Sequence, residues 1–245
     1  MKRTPKSPPD AVSLLAFGAH PDDIEFGCGG VVAIHTAAGA AAHFVVCSRG
    51  ESASSGTPRQ RILEARKSAE ILGASLEFID LDGDAHLEVR SAHAIKLARV
   101  LRTVRPNVVL APSLVENQHP DHPKLGRLVR DATRLARYGG VRELQTLPPH
   151  TIDQLFFYAV TCEAEPADGA TVLVDVSAPK VIAAWTAAMR AHATQLRQRD
   201  YVELQLTRAR LHGLRAGVGH AMALFPSEPL VINWPMRPRG AGKRF

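Results

Sequence analysis

Short apolar runs alternate with longer amphipathic stretches along most of this 245-residue chain. The apolar runs have the length of buried strands, and the amphipathic stretches have the spacing of helices. The pattern predicts strands over residues 12–17, 41–47, 76–81, 108–111, 154–160 and 172–176, with helices over 27–35, 59–72, 92–104, 124–138, 177–190 and 197–214. Because helices separate successive strands, the pattern predicts an α/β fold with a mainly parallel sheet and helices on both faces.

Polar side chains concentrate directly after the first predicted strand. The turn into the first predicted helix contains, within six residues, His20, Asp22, Asp23 and Glu25. In open α/β sheets such turns lie at the carboxyl edge, where ligands bind. A histidine and carboxylates without a nearby thiolate suit a catalytic zinc ion or another divalent transition metal. The same carboxylates could instead cap the helix, and the cluster alone leaves both interpretations open.

A second polar cluster follows the fourth predicted strand and contains His119, Asp121 and His122. Both clusters follow strands of one predicted sheet, so they should meet at the same edge although about a hundred residues separate them. One histidine of the second cluster would then join His20 and Asp23 as a third metal ligand, which leaves a position open for water as in catalytic zinc sites. The alternative for these histidines is a helix-entry turn with solvated imidazoles.

Composition narrows the class of protein. A length of 245 residues with 45% hydrophobic content predicts a single domain over residues 1–245, with a catalytic core at about 12–235. The net charge of +6 comes partly from the two ends, which we expect to be short, mobile, basic tails. No apolar run reaches roughly 18 residues, so no membrane span is expected.

Cysteine usage and motif content exclude further classes. The three cysteines, Cys28, Cys47 and Cys162, lack paired spacing, which indicates a reducing compartment and predicts a cytoplasmic protein without a disulfide framework. No nucleic-acid-binding motif is recognisable in the sequence, so nucleic acid is not an expected partner.

The two clusters together resemble the paired signature of the PIG-L/LmbE family of zinc-dependent de-N-acetylases, in which Ala-His-Pro-Asp-Asp precedes His-Pro-Asp-His. Here these motifs occupy residues 19–23 and 119–122, and the similarity covers most of residues 12–232, including His192 and Gln195. The resemblance implies a Rossmann-like fold and an enzyme that removes acetyl from N-acetylglucosamine units joined to inositol, malate, lipid or another sugar. Relatives often assemble, so a homo-oligomer is expected as well.

The resemblance also implies a role for each motif residue. The metal ligands would be His20, Asp23 and His122, with Zn²⁺ as the expected ion and iron, cobalt or manganese as alternatives. Asp22 would be the general base, His119 would stabilise the oxyanion and protonate the leaving amine, Asp121 would orient His119, and Arg61 would lie near the sugar.

One segment departs from the family pattern. The usual Tyr-Gly-Glu or Tyr-Ala-Glu near the C-terminus corresponds here to His-Ala-Met at residues 220–222, so His220 is either a pocket residue or a core histidine. The departure makes a metal-dependent amidase on a non-sugar acylated amine, such as an antibiotic scaffold, the first alternative. A non-catalytic sugar-binding relative is the second, and Asp22, His119 and Asp121 argue against it because a binding protein needs neither a base nor an oxyanion donor.

Overall fold

The computed structural model describes residues 12–116, 119–197 and 199–231, and the expected basic tails lie outside these residues. The strands are β1 (Leu14–Gly18), β2 (Ala42–Val46), β3 (Ser75–Phe78), β4 (Val108–Pro112), β5 (Gln154–Tyr158), β6 (Val172–Asp175) and β7 (Ala221–Pro226). The helices are α1 (Asp23–Ala37), α2 (Pro58–Ile71), α3 (Ser91–Val104), α4 (Asp121–Arg137), α5 (Pro179–Ala191) and α6 (Tyr201–Ala216), with short 3-10 helices at Arg142–Leu144 and Cys162–Ala164.

The strands form one sheet in the order β3-β2-β1-β4-β5-β7-β6. The first five strands of this order are parallel, so that Ala16 of β1 pairs with Phe44 on one side and Leu110 on the other. Strand β7 is antiparallel to both β5 and β6. The order β3-β2-β1-β4-β5 is that of a doubly wound α/β sheet, which confirms the predicted Rossmann-like, mainly parallel fold.

Alternate residues of β1 enter two separate apolar cores. Leu15 and Phe17 join a core with residues of α3 and α4, whereas Leu14 and Ala16 join a core with residues of α1, α2, α5 and α6. Side chains of successive strand residues point to opposite faces of a sheet, so the two cores lie on opposite faces. Helices therefore cover both faces, as predicted.

Helix α1 lies unusually close to its neighbours because three of its residues are glycines. A Cβ atom on Gly27 would lie 2.1 Å from Cδ2 of Tyr158, and one on Gly29 would lie 2.7 Å from Cδ1 of Trp185. Tyr158 in turn donates from its hydroxyl to the carbonyl of Phe17, 2.6 Å away at the end of β1. These contacts fix the start of α1, which carries the first polar cluster, against the carboxyl end of β1.

The observed elements differ from the predicted ones in two ways. Helices α1 and α4 begin at Asp23 and Asp121, so the polar clusters lie partly in the first helical turn. Apolar spacing shows only where a helix becomes amphipathic, whereas acidic residues are favourable in the first turn. Strand β7 was not predicted, because the segment Ala221–Pro226 has no β-branched residue and is rich in Ala, Met and Leu, which favour helices.

No helix among the described residues combines the length and the apolar character needed to cross a membrane.

Candidate metal and catalytic site

The carboxyl ends of β1, β3 and β4 open into one cleft with a volume of about 470 Å³, a size suited to a small-molecule ligand. The two predicted clusters meet in it, as the strand order requires. The polar residues that line it are His20, Asp22, Asp23, Ser52, Ser54, Ser55, Arg61, Asp84, His119, His122, Thr161, Gln195 and Gln205.

The turn after β1 is held by Asp23. Its Oδ2 accepts from the backbone N–H groups of Ala19 and His20, at 2.8 and 3.0 Å. Asp22 precedes the helix with a φ of 122°, which is rare for a residue other than glycine, and it makes no capping hydrogen bond. Neither carboxylate therefore caps α1 by a hydrogen bond, so the capping interpretation does not explain this cluster.

The three predicted metal ligands lie in contact around Asp23. Its Oδ1 is 3.1 Å from Nε2 of His122, and its Oδ2 is 3.6 Å from Nδ1 of His20. All three residues are buried. Imidazole and carboxylate donors without a thiolate fit zinc or another divalent transition metal.

The histidines form a closer group than the predicted ligand set. Donor atoms of His20, His119 and His122 all lie within 4.8 Å of one another, and Asp23 is not a member of that group. The structure thus places a candidate metal group at the predicted position without deciding which residues bind the ion. The assignment of His20, Asp23 and His122 remains a prediction.

The charges of these residues depend on one another. Burial raises the pKa of Asp23, but the neighbouring His122 and His20 lower it further, so that it ends well below its usual range. Burial lowers the pKa of His20, yet the carboxylates of Asp23, Asp121 and Asp84 raise it well above its usual value. The cleft therefore concentrates negative charge, which favours a bound cation.

Asp84 is a site residue that the sequence analysis missed. It follows β3, and its Oδ1 lies 3.2 Å from Nε2 of His20 and 3.5 Å from Nε2 of His119. The backbone has positive φ at Asp82 and Ala85 on either side of it, a strain often found at functional sites. Its position in the chain could have identified it, because Asp84 follows the third strand at the sheet edge that carries both predicted clusters.

His119 and Asp121 lie beside this carboxylate. Nδ1 of His119 accepts from the backbone N–H of Asp121 at 3.3 Å, so Nε2 is the nitrogen that carries the proton toward Asp84. The Asp121 carboxylate accepts from the N–H of Ala85 at 2.8 Å and lies 3.3 Å from Nε2 of His20. The Asp121 carboxylate thus contacts His20 and Ala85 and has an oxygen within 4.8 Å of a ring nitrogen of His119. Orientation of His119 by Asp121 remains a prediction.

Arg61 binds the turn that carries Asp22. Its Nη2 donates to the carbonyl of Pro21 at 2.7 Å and to Oδ2 of Asp22 at 3.1 Å. Burial raises the pKa of Asp22 to about 6, although the Arg61 guanidinium lowers it. Helix α2, which carries Arg61, begins with a capping box in which Thr57 and Gln60 exchange hydrogen bonds.

The far side of the cleft is formed by Phe26, Val160 and Tyr201. The rings of Phe26 and Tyr201 are 5.6 Å apart. Gln195 lies at the rim, where its Nε2 donates to the carbonyl of Ser55 and to Oγ1 of Thr194, both at 2.9 Å. Since both N–H groups are used, the amide oxygen of Gln195 is its remaining polar group for a ligand.

Two residues named in the sequence analysis lie away from the cleft. Glu25 faces inward, with Oε1 3.4 Å from Nε2 of the fully buried His192. His220 precedes β7 and bonds through its N–H to Oγ of Ser177, and residues 220–222 are not among those that line the cleft. The departure from the family motif at residues 220–222 therefore does not alter the described lining of the cleft.

Comparison with known proteins places this site in a family. The family model described as PIG-L, GlcNAc-PI de-N-acetylase, matches residues 15–133. The crystal structure of the conserved protein TT1542 from Thermus thermophilus covers 93% of this chain and 100% of its own, with 32% identity and a TM-score of 0.81. The chain belongs to the PIG-L family. Membership relates it to de-N-acetylases and confirms the resemblance that the motifs suggested.

Two relatives of this chain carry the names of different reactions. The 4-oxalmesaconate hydratase of Pseudomonas putida is 36% identical over 142 residues, which cover 53% of this chain and 55% of the hydratase. The diacetylchitobiose deacetylase of Thermococcus kodakarensis is 30% identical over 165 residues, which cover 61% of this chain and 60% of the deacetylase. The chain thus matches less than two thirds of the length of either relative, and similarity alone does not choose between the two reactions.

Proposed function

We propose that this chain is a metal-dependent hydrolase that removes the acetyl group from an N-acetylated amino sugar or its glycoside. The observation that carries the proposal is the position of Asp22, a carboxylate beside the candidate metal group but outside it. Hydrolysis of an amide needs a base at that place in addition to a metal.

The metal would be held by His20, Asp23 and His122, whose imidazole and carboxylate donors suit Zn²⁺. When bound, such a cation makes water a stronger acid and polarises a carbonyl group. The strongly lowered pKa of Asp23 supports its role as a ligand, because the carboxylate stays ionised at any pH at which the enzyme would work.

Asp22 would accept the proton of the attacking water. Arg61 fixes its carboxylate through Oδ2, and this leaves Oδ1 as the atom available to the water. A fixed carboxylate avoids the cost of orienting the base in each turnover. The leaving amine would then take a proton from His119 or from the protonated Asp22, since both side chains line the same cleft.

His119 would stabilise the oxyanion that forms on the acetyl carbon. Its Nε2 carries the proton in the described hydrogen-bond arrangement, and the residue lines the cleft. Removal of one such donor typically raises the barrier by roughly 3 to 4 kcal/mol. Asp121 would orient the ring, and its backbone N–H donates to Nδ1 of His119.

The lining of the cleft favours a neutral, hydroxyl-rich substrate. Among the described residues that line it, Arg61 is the single arginine or lysine, and its Nη2 is already bonded to Pro21 and Asp22. Serine, threonine and glutamine side chains supply neutral hydrogen-bonding groups, and the rings of Phe26 and Tyr201 provide apolar surface. This combination suits a sugar, whose hydroxyl groups and C–H faces need both kinds of contact.

A second candidate is addition of water to an unsaturated carboxylic acid, which the 36% identity to the 4-oxalmesaconate hydratase supports. The same base could activate water for that reaction. A carboxylate substrate would, however, compete with Asp22 for Arg61, because the described lining offers no second arginine or lysine.

Product analysis distinguishes the two candidates. We expect zinc-loaded protein to release acetate from at least one N-acetylglucosaminide, and chelator-treated protein to release none. Acetate release from acetylated non-sugar amines alone would contradict the sugar assignment and support an amidase. Hydration of 4-oxalmesaconate without acetate release from any amide would contradict the hydrolase proposal.

A further inference from the structure

One wall of the cleft is formed by residues 52–55, a segment between β2 and α2 that we call the serine loop. Its first residue is fixed beside the candidate metal group. Ser52 donates from its N–H to Oδ2 of Asp84 at 3.2 Å and from its Oγ to the Asp84 carbonyl at 2.9 Å. Its last residue lies at the rim, where the carbonyl of Ser55 accepts from Nε2 of Gln195 at 2.9 Å. The serine loop therefore extends from the metal group to the opening of the cleft.

A chain of hydrogen bonds from helix α2 anchors the rim end of the serine loop. Glu64 accepts twice from Thr194, at Oε1 from the backbone N–H at 2.9 Å and at Oε2 from Oγ1 at 2.7 Å. Oγ1 of Thr194 accepts in turn from Nε2 of Gln195 at 2.9 Å, and the same nitrogen donates to Ser55. Hydrogen bonds to a carboxylate are stronger than neutral ones, and bonds in a chain strengthen one another. The anchor is thus stronger than its last contact alone.

Close packing holds the same end of the loop. Gly56, directly after it, has a φ of 81°, and a Cβ atom there would lie 2.8 Å from Cβ of Thr194, a residue that is 4% exposed. Helix α2 also connects the anchor with the proposed base, because Arg61, which bonds to Asp22, lies one helical turn before Glu64. One helix therefore fixes both the base and the rim end of the serine loop.

Ser54 and Ser55 supply the hydroxyl groups of the loop that remain for a ligand. Both residues line the cleft, and neither side chain makes a hydrogen bond within the described part of the chain. A serine hydroxyl can both donate and accept, as recognition of a sugar hydroxyl requires. Because the loop leads from the metal group to the opening, these serines would meet the part of a substrate that extends away from the reacting amide.

We propose that Ser54 and Ser55 bind hydroxyl groups of the substrate outside its acetamido group. Glu64, Thr194 and Gln195 are the positioning residues that hold the serine loop in place for this contact. The inference rests on the proposed function, because it assigns the part of the amino-sugar substrate that does not react. Contacts of this kind are made equally in the ground state and the transition state, so their loss raises KM and leaves kcat nearly unchanged.

Hydrogen exchange of the substrate-free protein tests the anchor. Thr194→Val keeps the shape of the side chain but removes Oγ1 from the chain of hydrogen bonds, and Thr194 is not among the residues that line the cleft. The N–H groups of Ser52 and Ala53 are hydrogen-bonded, so their exchange reports opening of the loop. We expect it to become roughly fivefold faster or more. Bound metal should stay unchanged, which shows that the variant is folded.

Thr186→Val is the matched control, because Thr186 lies on α5 and outside the residues that line the cleft. It should exchange at the natural rate. Exchange in Thr194→Val as slow as in the natural protein would overturn the positioning role.

Kinetics of acetate release test the binding role. Thr194→Val should raise KM by roughly two- to tenfold and keep kcat within about twofold. Ser54→Ala and Ser55→Ala should raise KM similarly without faster exchange of the loop. An unchanged KM in both serine variants, or a lowered kcat at unchanged KM, would overturn the proposed contacts. If the natural protein released acetate from no substrate, the proposed function would be contradicted, whereas faster exchange in Thr194→Val would still support the anchor.

Discussion

Two buried arginines in this protein differ in what surrounds them. Arg102 of α3 donates from its three nitrogens to main-chain carbonyls at the end of α4 and beside the first 3-10 helix, those of Leu135, Ala136, Tyr138, Leu144 and Leu147. Among the described residues, Arg61 donates to one carbonyl and to the Asp22 carboxylate, and its buried Nε has no partner there. The two residues are 2% and 4% exposed, so burial does not distinguish them.

The difference in partners indicates a difference in role. Carbonyl groups at a helix end need donors, and Arg102 supplies them to two segments at once. Arg61 instead holds a carboxylate on a turn with unusual φ, in a cleft with further buried polar groups. A guanidinium with main-chain partners is expected to stabilise the fold, whereas one beside a strained carboxylate in a cleft is expected to support chemistry.

Loss of the Asp22 carboxylate should have the largest effect. Asp22→Asn removes the proposed base but keeps the shape of the side chain, so acetate release should fall by roughly 10²–10⁴-fold. Bound metal, measured by elemental analysis, should stay unchanged, and Asp80→Asn should have the normal rate. A near-normal rate for metal-saturated Asp22→Asn would show that Asp22 is not the base.

Loss of the Arg102 guanidinium should affect stability instead. Arg102→Met leaves several buried carbonyls without donors, and we expect the free energy of unfolding to fall by roughly 3–5 kcal/mol in denaturant titrations. Arg99→Met, on the exposed side of the same helix, should change it by less than about 0.5 kcal/mol. The contrast between the two arginines would be wrong if Arg102→Met were as stable as the natural protein but lost bound metal and activity together.

A conservative substitution at Arg61 tests whether this arginine supports catalysis rather than stability. Arg61→Lys keeps the charge but loses the planar fork that reaches Pro21 and Asp22 together, so kcat should fall by roughly tenfold or more. The free energy of unfolding should change by less than about 1 kcal/mol. A stability loss as large as that of Arg102→Met would show that Arg61 is mainly structural.

Arg208 of α6 has both main-chain carbonyls and a carboxylate as partners. Loss of its carboxylate partner, Glu165, should have the smallest effect. Arg208 donates to the carbonyls of Ala159 and Val160 and pairs at 2.8 Å with Glu165, which also contacts His212. Burial raises the pKa of Glu165, but His212 and Arg208 lower it below its usual value of 4.5. The Glu165 carboxylate therefore stabilises the fold above pH 4.5, and this contribution is lost as the pH falls through the lowered pKa.

Glu165→Gln should accordingly reduce the free energy of unfolding by about 1 kcal/mol at pH 7. The difference from the natural protein should shrink below the usual glutamate pKa, because the natural protein then loses the same interaction. Denaturant titrations at neutral and acidic pH measure this. A difference that grows as the pH falls would mean that the Glu165 pKa is raised instead.

The sequence allowed the fold and both motif clusters to be predicted, because each depends on local patterns. Apolar runs predicted strands β1 to β6. Because parallel strands end at one edge of the sheet, the two motifs that contain His20 and His122 were predicted to lie close together. Strand β7 was not predicted, because its residues are mainly Ala, Met and Leu and none is β-branched.

Contacts between distant residues were the part that could not be predicted. Asp84 was not predicted as a site residue, since nothing local shows that β3 ends beside His20 and His119. The partners of Arg102 lie 33 to 45 residues away along the chain and depend on how α3 packs against α4. Likewise, the Asp121 carboxylate contacts His20 because the loop after β3 brings Ala85 to the start of α4.

The central claim is that one cation binds to His20, Asp23 and His122 while Asp22 remains unligated beside it. Anomalous diffraction from crystals of protein loaded with a single equivalent of zinc tests this directly. The account predicts one anomalous peak, bonded to those three side chains and not to Asp22. A peak bonded to Asp22, or one held by Asp84 and His119 at this zinc level, would contradict it.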